Sequence, residues 1–335
     1  MTKRKAIALY SGGLDSTLAI LLVQRQNVEV TAVTFLTDFG CDGGDTSSCS
    51  RNPAPAAAQF GFTLKLSHLG GKFTRIVTNP RFGHGRNMNP CIDCRILMLR
   101  EAGELMEMTG ADFVITGEVL GQRPMSQRRD TLHIIDRESG LKGRILRPLS
   151  ARILPLTIPE ERGMVRREDL LGLSGRSRKP QMALAREFGL TDYPTPAGGC
   201  LLTDPIYSRR LQDLLRSVPD PGPEDLGLLR LGRHFRLSMA CKIIVGRNER
   251  ENDQIAKAKR TGDVLMYVKG AGSPLVLLRG TDAGMYLEPG ASLCARYSDA
   301  RHLPEVTVTV SEGATEYSMK VMPAGPDFIE KHAVR

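Results

Sequence analysis

The stretch ALYSGGLDS, Ala8 to Ser16, has the composition of an anion-binding loop. It lies where a short apolar run, KAIALYS, gives way to a segment with helical periodicity. Gly12 and Gly13 allow a sharp turn that points several backbone N–H groups at one anion, and Ser11 and Ser16 add hydroxyl donors. The positive end of the following helix would face the same point. The sequence therefore predicts a phosphate-binding loop.

One acidic side chain, Asp15, lies inside this loop. A carboxylate does not suit a site that binds anions alone, but it fits where Mg²⁺ bridges it to phosphates. The string matches neither the dinucleotide pattern G-x-G-x-x-G nor the Walker pattern, which disfavours hydride transfer and ordinary P-loop hydrolysis. The alternative is a strand-to-helix turn without a ligand, and we favour a magnesium–phosphate site.

The cysteine pair in NPCIDC, Cys91 and Cys94, is the second feature that could carry chemistry. A zinc site needs four ligands, but no second C-x-x-C is present and His84 is glycine-flanked and expected to be idle. A dithiol at a helix N-terminus and a purely structural pair are two other interpretations.

A third thiol, Cys200 in PAGGCLLTD, changes the balance between these interpretations. Three thiolates suit a 4Fe–4S cluster with one iron left open, since full cysteine ligation takes four. The alternative is that Cys200 carries a persulfide, which Cys91 or Cys94 resolves. We favour the cluster over the persulfide.

The four other cysteines are expected to be small buried or partly buried thiols: Cys41, Cys49, Cys241 and Cys294. No apolar run reaches the roughly 18 residues of a membrane span, and the N-terminus lacks a signal-peptide cleavage site. We therefore expect a cytoplasmic protein with neither a membrane partner nor a disulfide framework.

The chain is basic, with 46 Lys and Arg against 37 Asp and Glu, a formal charge of +9 and a pI near 9.3. Basic residues cluster in GRILRPLSAR, RGMVRR and SGRSRKP. Such clusters are either solvated surface or contacts to a polyanion. Aromatic residues make up only 5% and Trp is absent, which favours contacts to phosphates and folded RNA over base stacking.

The first half of the chain alternates strand and helix signals. KAIALYS, VEVTAVTFL, FTLKLSHL and ADFVITGE are strand candidates, and DSTLAILLVQRQ is helical. A helix in RILMLREAGELMEMTG would place Met98, Ala102, Leu105 and Thr109 on one face and end at Gly110. This alternation predicts an α/β fold with a doubly wound parallel sheet, which binds ligands at the carboxyl ends of its strands.

The second half is organised differently. PEERGMVRREDLLGL, KPQMALAREFGL and PIYSRRLQDLLRSV are predicted helices, and PDPGPEDLG is a predicted linker. RLSMACKIIVG, GDVLMYVKG, SPLVLLRG and EVTVTVS are strand-rich. We expect one domain over residues 1–200, a helix and linker over 201–225, and a smaller α+β domain over 226–335.

The string S-G-G-x-D-S resembles the PP-loop of ATP pyrophosphatases, which cleave ATP between its α and β phosphates and adenylate an oxygen. TGEVLGQRPMSQ (Thr116 to Gln127), with LHIID and RILRPL downstream, is similar to the tRNA 4-thiouridine synthases. The resemblance covers about residues 5–200 and implies an adenine-nucleotide alpha-hydrolase-like fold. It implies that these residues bind pyrophosphate and Mg²⁺: Ser11, Gly12, Gly13, Asp15 and Ser16. It also implies that these lie beside the nucleotide: Thr116, Gly117 and Gln122.

The chain departs from that family in two respects. The acid-plus-lysine that often follows the R-P-L segment is absent, since RPLSARILP carries Arg152 as its only charge after the motif. Arg123 or Lys179 are candidates to replace it. No rhodanese segment is evident, so sulfur is expected from sulfide or from a cysteine desulfurase. Other PP-loop tRNA thiolases carry the two-plus-one cysteine arrangement, which supports the cluster.

The segment Ile244 to Gly280 is similar to the NFACT-R domain, whose members bind RNA. The shared strings are V-G-R-N-x-x-x-N-D and a following G-S-x-x-V-x-L-R-like strand. The resemblance makes Arg247 and Asn248 candidates for contacts to the RNA backbone. The alternative for each is a turn in which the side chain satisfies its own backbone.

These features together predict an ATP-dependent tRNA thiolase that uses ATP, Mg²⁺ and a 4Fe–4S cluster, with Asp15, Cys91, Cys94 and Cys200 as catalytic residues. Thiolation at C4 is favoured over C2 because GEVLGQ matches the 4-thiouridine enzymes best. The rivals are a PP-loop ligase that uses ammonia, which would not need Cys200, and a non-catalytic RNA-binding protein. The oligomeric state is open, with a homodimer as one alternative.

Overall fold

In the computed structural model, which describes residues 3–40, 53–193 and 200–335, the chain divides into two units. The N-terminal unit spans residues 1–203 and the C-terminal unit spans residues 204–335. The domain limits expected from the sequence, at 200 and 225, stay a prediction. Within the described residues, no helix has the length and apolar character needed to cross a bilayer.

The N-terminal unit is built on a parallel sheet of five strands. They are β1 (Lys5–Leu9), β2 (Glu29–Leu36), β3 (Thr63–His68), β4 (Phe113–Thr116) and β5 (Ile145–Leu146). Their order is β3-β2-β1-β4-β5, and the pairings are parallel. The order reverses direction between β1 and β4, which is the point where such sheets bind ligands. The predicted doubly wound α/β fold is confirmed.

Seven helices connect and cover these strands. They are α1 (Leu14–Gln24), α2 (Ala54–Phe60), α3 (Gly70–Thr78), α4 (Cys91–Thr109), α5 (Arg129–Glu138), α6 (Ile158–Glu161) and α7 (Lys179–Glu187). Successive residues of β1 point to opposite faces of the sheet. Ala6 and Ala8 pack with the core that includes α1, whereas Ile7 and Leu9 pack with the core that includes α4 and α5. Both faces of the sheet are therefore covered.

Helix α4 ends as predicted, with Gly110 in the left-handed conformation at φ 64°. Its buried face differs from the prediction. The face that meets the sheet includes Ile96, Leu99 and Met106, each under 7% exposed, together with Ala102. Met98 and Leu105 pack only at its border. The sequence pattern pointed to the correct helix but to a neighbouring stripe, because Met and Leu occur on both sides of it.

The prediction of one helix over PEERGMVRREDLLGL is wrong. The structure has a single turn, α6, followed by a 3-10 turn at Arg167–Asp169. Gly163 has a φ of 61°, which an α-helix cannot include, so the chain turns out of α6 there. The second predicted helix, KPQMALAREFGL, is confirmed as α7.

The C-terminal unit contains an antiparallel sheet of six strands in the order β11-β10-β8-β9-β7-β6. The strands are β6 (Arg233–Arg236), β7 (Cys241–Val245), β8 (Val264–Tyr267), β9 (Val276–Gly280), β10 (Val306–Glu312) and β11 (Thr315–Val321). The helices are α8 (Pro205–Ser217), α9 (Pro223–Leu228), α10 (Glu249–Lys257), α11 (Leu287–Tyr297) and α12 (Pro326–His332). The predicted α+β class is confirmed, but the predicted linker contains α9, whose start is fixed by Asp225 accepting from Gly222 N at 3.3 Å.

A buried lysine is the unusual feature of this second sheet. Lys242 on β7 is 8% exposed, and its ammonium lies 3.3 Å from a carboxylate oxygen of Asp213. Arg236 already holds that carboxylate through two hydrogen bonds of 2.9 and 2.7 Å. Burial lowers the pKa of Lys242 to about 8; Asp213 opposes this shift, and Arg236 and Arg210 add to it.

We expect Lys242→Met to stabilise the C-terminal unit at pH 7 by on the order of 2 kcal/mol, since one pKa unit corresponds to about 1.4 kcal/mol. The unfolded lysine binds its proton up to its ordinary pKa of 10.5, so stability should rise between pH 8 and that value. The variant should lose this rise. Hydrogen exchange of the β6 and β7 amides at pH 7 and at higher pH measures both effects.

The control is Lys320→Met, because the Lys320 side chain is 71% exposed. This control should change neither the stability of the C-terminal unit at pH 7 nor the rise of that stability above pH 8. Destabilisation of the C-terminal unit by Lys242→Met at pH 7 would contradict the prediction.

Candidate functional site

The phosphate loop lies at the switch point of the parallel sheet. It joins β1 to α1, with Gly12 at a φ of 70° and Gly13 as the N-cap residue. Ser16 Oγ donates to Gly13 O at 2.9 Å and lies 3.3 Å from Ser11 Oγ. The two hydroxyls and the start of α1 therefore face one small region, as a phosphate site requires. The predicted residues Ser11, Gly12, Gly13 and Ser16 are contiguous here.

Asp15 is held at the edge of this loop by Gln122. The Gln122 amide donates to Asp15 Oδ2 at 3.0 Å, whereas Asp15 Oδ1 is buried without a hydrogen-bond partner. Burial raises the pKa of Asp15 and outweighs the effects of Gln122, Arg178, Arg123 and Gln181, which lower it. A buried carboxylate oxygen without a partner fits a divalent cation. Asp15 and the phosphate loop are therefore the residues that would hold Mg²⁺.

Gly117 brings the second motif against the first. It follows β4, whose last residue Thr116 lies opposite Leu9 at the end of β1. A Cβ on Gly117 would lie 2.5 Å from Ser16 N and 2.6 Å from Asp15 C, distances that real Cβ atoms do not reach. The backbone of the TGE motif therefore touches the start of α1 directly, and this position requires glycine.

The TGE motif continues into a buried network of charges. Glu118, 2% exposed, accepts from Thr116 Oγ1 at 3.1 Å and from Arg147 Nε at 3.0 Å. Arg147, 4% exposed, also binds Asp136 with two hydrogen bonds of 2.9 and 2.6 Å. Arg95 approaches the second oxygen of Glu118 at 3.5 Å. The arginines outweigh burial, so the pKa of Glu118 is lowered.

This network explains why TGE and RILRPL occur in one sequence. Arg147 belongs to RILRPL, and Arg95 follows Cys94 directly. Glu118 therefore links the strand end beside the phosphate loop to the helix that carries the cysteine pair. The sequence pattern gave no sign that Arg95 takes part.

The candidate thiols Cys91 and Cys200 both lie within electrostatic reach of the third, Cys94. Helix α4 begins at Cys91, as predicted, so one turn carries the first two. Cys200 is placed by its neighbours Leu202, whose carbonyl accepts from Met88 N at 3.1 Å, and Thr203. Cys91 and Cys200 are both near enough to raise the pKa of Cys94.

The electrostatic surroundings of the thiols differ. Burial raises the pKa of Cys94 to about 12; Arg95 opposes this, and Cys200, Cys91 and Asp93 add to it. Burial also raises the pKa of Cys91, but there Arg123 and Arg95 both oppose it. Cys91 is therefore the better placed of the two to become a thiolate.

Asp93, between the two cysteines, has a structural role. It is 8% exposed, and its carboxylate accepts from Arg81 N and Phe82 N, each at 3.1 Å. It fixes the loop that precedes α4. His84 Nε2 in that loop hydrogen-bonds to Val77 O at 2.8 Å.

In residues 3–40, 53–193 and 200–335, no group of three His, Cys, Asp or Glu is arranged around a single metal ion. A cluster spreads its thiolates over several irons and so places them farther apart than the ligands of one ion. The donor set of Cys91, Cys94 and Cys200 has the chemistry for such a cluster, but the described side chains do not form a finished ligand shell. The glycines before Cys200 lie outside the described residues.

The remaining cysteines behave as expected where they are described. Cys241 and Cys294 are fully buried, and burial raises the pKa of each to about 12. Cys41 and Cys49 lie outside the described residues.

Several basic residues are engaged within the protein. Arg144 pairs with Glu107 at 3.0 Å, Arg167 with Glu160 at 2.6 Å, and Arg166 with Asp169 at 2.5 Å. Arg152 bonds to the carbonyl of Glu168 and contributes no charge to the loop. Among the candidates to replace the family lysine, Arg123 acts on both Asp15 and Cys91. Lys179 is exposed in the first turn of α7.

The candidate RNA-binding residues in the C-terminal unit lie at the start of α10. Asn248 is its N-cap, accepting from Glu251 N at 3.0 Å. Arg247 forms an ion pair with Glu251 at 2.5 Å while its side chain remains 47% exposed. Asn252 of the same motif accepts from Leu275 N at 2.9 Å and donates to Ser273 O at 3.2 Å. Much of the motif therefore holds the fold, and RNA contact by Arg247 and Asn248 stays a prediction.

Residues 1–152 match the family model described as thiamine biosynthesis protein (ThiI). Residues 232–333 match the NFACT protein RNA binding domain. The resemblances to PP-loop enzymes and to the NFACT domain are therefore confirmed, each for its own part of the chain.

Curated relatives of the ThiI-like region have two kinds of name. A probable tRNA sulfurtransferase of Thermococcus kodakarensis is 30% identical over 44% of this chain and 37% of its own length. A tRNA-specific 2-thiouridylase MnmA of Herpetosiphon aurantiacus is 28% identical over 65% and 61%. The chain thus spans less than two thirds of the length of either relative. A 4-thiouridine synthetase–RNA complex with bound ATP aligns with 23% identity and a TM-score of 0.34 over 57% of this chain and 54% of that one.

We expect Gly117→Ala to destabilise the N-terminal unit by about 3 kcal/mol, because a Cβ there must displace the backbone of Ser16. Gly71→Ala is the control, since a Cβ at Gly71 in α3 meets nothing within 4 Å. Thermal unfolding distinguishes the two variants. An unfolding midpoint for Gly117→Ala equal to that of the control would contradict the close approach.

Asp15→Asn should stabilise the protein without ligand at pH 7 while abolishing magnesium-dependent nucleotide binding. A folded-state pKa raised above the ordinary 3.8 means that the folded protein retains the proton longer, so stability falls as pH rises through that window and stays reduced above it. The gain should therefore be present at pH 7 and disappear as the pH falls well below 3.8. The control is Asp130→Asn, because Asp130 is exposed. Thermal unfolding should show no increase in stability for this variant.

Proposed function

We propose that this protein is an ATP-dependent tRNA sulfurtransferase that converts a tRNA uridine to thiouridine. The observation that supports the proposal is that the charge of Arg123 acts on both Asp15 of the phosphate loop and Cys91, while Cys91 and Cys200 both act on Cys94. The names of the relatives of the ThiI-like region support it.

The first chemical step is adenylation of the uridine. A uracil carbonyl oxygen attacks the α-phosphorus of ATP, an O–P bond forms, and the bond to pyrophosphate breaks. The hydroxyls of Ser11 and Ser16, the amides of the loop and the start of α1 stabilise the charge on the phosphates. Asp15 would hold Mg²⁺, which when bound neutralises the leaving pyrophosphate.

The second step replaces the activated oxygen by sulfur. In the persulfide route, the terminal sulfur of a Cys200 persulfide attacks the carbonyl carbon and AMP leaves. The thiolate of Cys91 then attacks Cys200, which releases thiouridine and leaves a Cys91–Cys200 disulfide. A cellular thiol reductant and a cysteine desulfurase restore the starting state. Cys91 suits the resolving role because two arginines oppose the rise of its pKa.

In the cluster route, the same three cysteines would hold a 4Fe–4S cluster. Such a cluster, when bound, would present an open iron that carries the sulfide. We favour this route because the family pattern supplies two adjacent thiols and one distant one, and three thiolates leave one iron free. The two routes need the same residues and differ in iron content and in the reductant.

Thiolation at C4 is the preferred outcome, since the TGEVLGQ motif resembles that of the 4-thiouridine synthases. Relatives with 2-thiouridylase names make C2 the alternative. Residues 232–333 would bind the tRNA through the NFACT-like surface, including the exposed part of Arg247.

The test is a pair of anaerobic single-turnover assays with tRNA and Mg–ATP, one with sulfide and one with a cysteine desulfurase and cysteine as the sulfur donor. We expect pyrophosphate release to depend on tRNA, with thiouridine detected and located by mass spectrometry. Cys200→Ala should keep the tRNA-dependent pyrophosphate release but lose at least 100-fold in thiouridine. Cys294→Ala, which removes a buried thiol of the C-terminal unit, is the matched control and should retain both activities.

Two outcomes would change the proposal. Product formation from ammonia that does not need Cys200 would favour a PP-loop ligase instead. Iron and acid-labile sulfide counts after anaerobic purification separate the two sulfur routes. A colourless, iron-free protein that still thiolates tRNA would eliminate the cluster.

A further inference from the structure

Within the described residues, four buried polar atoms around Asp15 have no hydrogen bond of 3.5 Å or less, although the Gln181 side chain lies near enough to the Asp15 carboxyl to lower its pKa. They are Asp15 Oδ1, Arg178 Nε, and Oε1 and Nε2 of Gln181. Gln181 is 0% exposed, and leaving a buried polar group unpaired destabilises the folded protein. Buried polar groups in proteins are rarely unpaired, so a cluster of them needs an explanation.

The packing of two helices brings these atoms together. Helices α1 and α7 run side by side, since Leu14, Leu18 and Leu22 pack in one cluster with Ala185. At their C-terminal ends, Arg25 forms an ion pair with Glu187 at 2.7 Å. At their N-terminal ends, Arg178 and Gln181 are near enough to Asp15 to lower its pKa. The two helices are therefore parallel, and both positive ends face the phosphate loop.

The segment that leads into α7 is fixed to the second motif. Gly175 N donates to Leu120 O at 2.7 Å, and Leu120 and Ser174 form a β-bridge. Leu120 N donates to the buried hydroxyl of Ser150 at 3.0 Å. Residues 174–181 are thus fixed beside Gln122, which holds Asp15. They are the third segment of the site, after the phosphate loop and the TGEVLGQ motif.

We propose that Arg178 and Gln181 bind the phosphate chain and the hydrated magnesium ion of the nucleotide. The unpaired guanidinium nitrogen of Arg178 needs an acceptor, which a phosphate oxygen supplies. The Gln181 amide needs both a donor and an acceptor, which a magnesium-bound water and a phosphate oxygen supply. This inference rests on the proposed function, and it assigns part of the basic cluster SGRSRKP to the nucleotide rather than to tRNA.

The test compares Arg178→Met and Gln181→Leu with Arg176→Met, an exposed arginine of the same segment. In calorimetric titration with a non-hydrolysable Mg–ATP analogue, the first two variants should bind about 10-fold to 50-fold more weakly than the unmodified protein. The control should bind with unchanged affinity. Inorganic pyrophosphate should lose affinity in parallel, whereas AMP should not. Gln181→Leu should unfold no earlier than the unmodified protein, because it removes buried unpaired groups.

Three results would overturn the inference. Mg–ATP binding by Arg178→Met and Gln181→Leu equal to that of the unmodified protein would overturn it and leave the proposed function intact. Loss of tRNA affinity without loss of nucleotide affinity in Arg178→Met would assign the segment to RNA. Failure of the unmodified protein to bind Mg–ATP would overturn the proposed function as well. Arg178→Lys, which keeps the charge, covers the case in which Arg178→Met does not fold, and it should bind with intermediate affinity.

Discussion

The candidate site depends on a contact that involves no side chain. At Gly117 the backbone after β4 lies against the backbone of Asp15 and Ser16, with no room for a Cβ. Because β1 and β4 are neighbours at the switch point, this contact sets the distance between the phosphate loop and the TGEVLGQ motif. Gln122 can reach Asp15 only because that distance is so short. A small shift of either strand end would separate the residues that are proposed to bind magnesium and nucleotide.

Around this contact the protein treats its buried polar groups in two opposite ways. Three hydrogen bonds join Arg147 to Glu118 and Asp136, and Glu118 Oε1, which has no hydrogen bond, lies 3.5 Å from Arg95. These contacts make the network a rigid support. Asp15, Arg178 and Gln181 retain unpaired buried atoms, which is unfavourable for the protein alone. Unpaired buried groups are tolerated where a ligand supplies their hydrogen-bond partners. The location of Asp15, Arg178 and Gln181 therefore indicates a ligand-binding site.

The sequence predicted the features that depend on local patterns. The strand-loop-helix unit of the phosphate loop, the left-handed end of α4 at Gly110 and the helical start at Cys91 all follow from nearby residues. It could not predict contacts between distant segments whose residue types are common, such as Arg95 with Glu118 or Gln181 beside Asp15. It also missed the turn at Gly163, because the apolar spacing of the surrounding residues looks helical and a positive φ is not visible in composition. The prediction of the buried face of α4 was wrong for a related reason, since two neighbouring faces of the helix have similar hydrophobicity.

The net charge of +9 illustrates how a composition argument changes when contacts are known. Arg144, Arg166 and Arg167 form ion pairs with acidic neighbours, and Arg147 lies inside the protein. Charges that are neutralised by a neighbour at under 3.1 Å add little to a long-range field. The attraction of a polyanion must then depend on the arginines outside such pairs. Arg123 is exposed, and its charge acts on both Asp15 and Cys91. In the proposed reaction, a positive charge at that position would attract both the phosphates of the nucleotide and a thiolate, and one side chain would then couple adenylation to sulfur transfer.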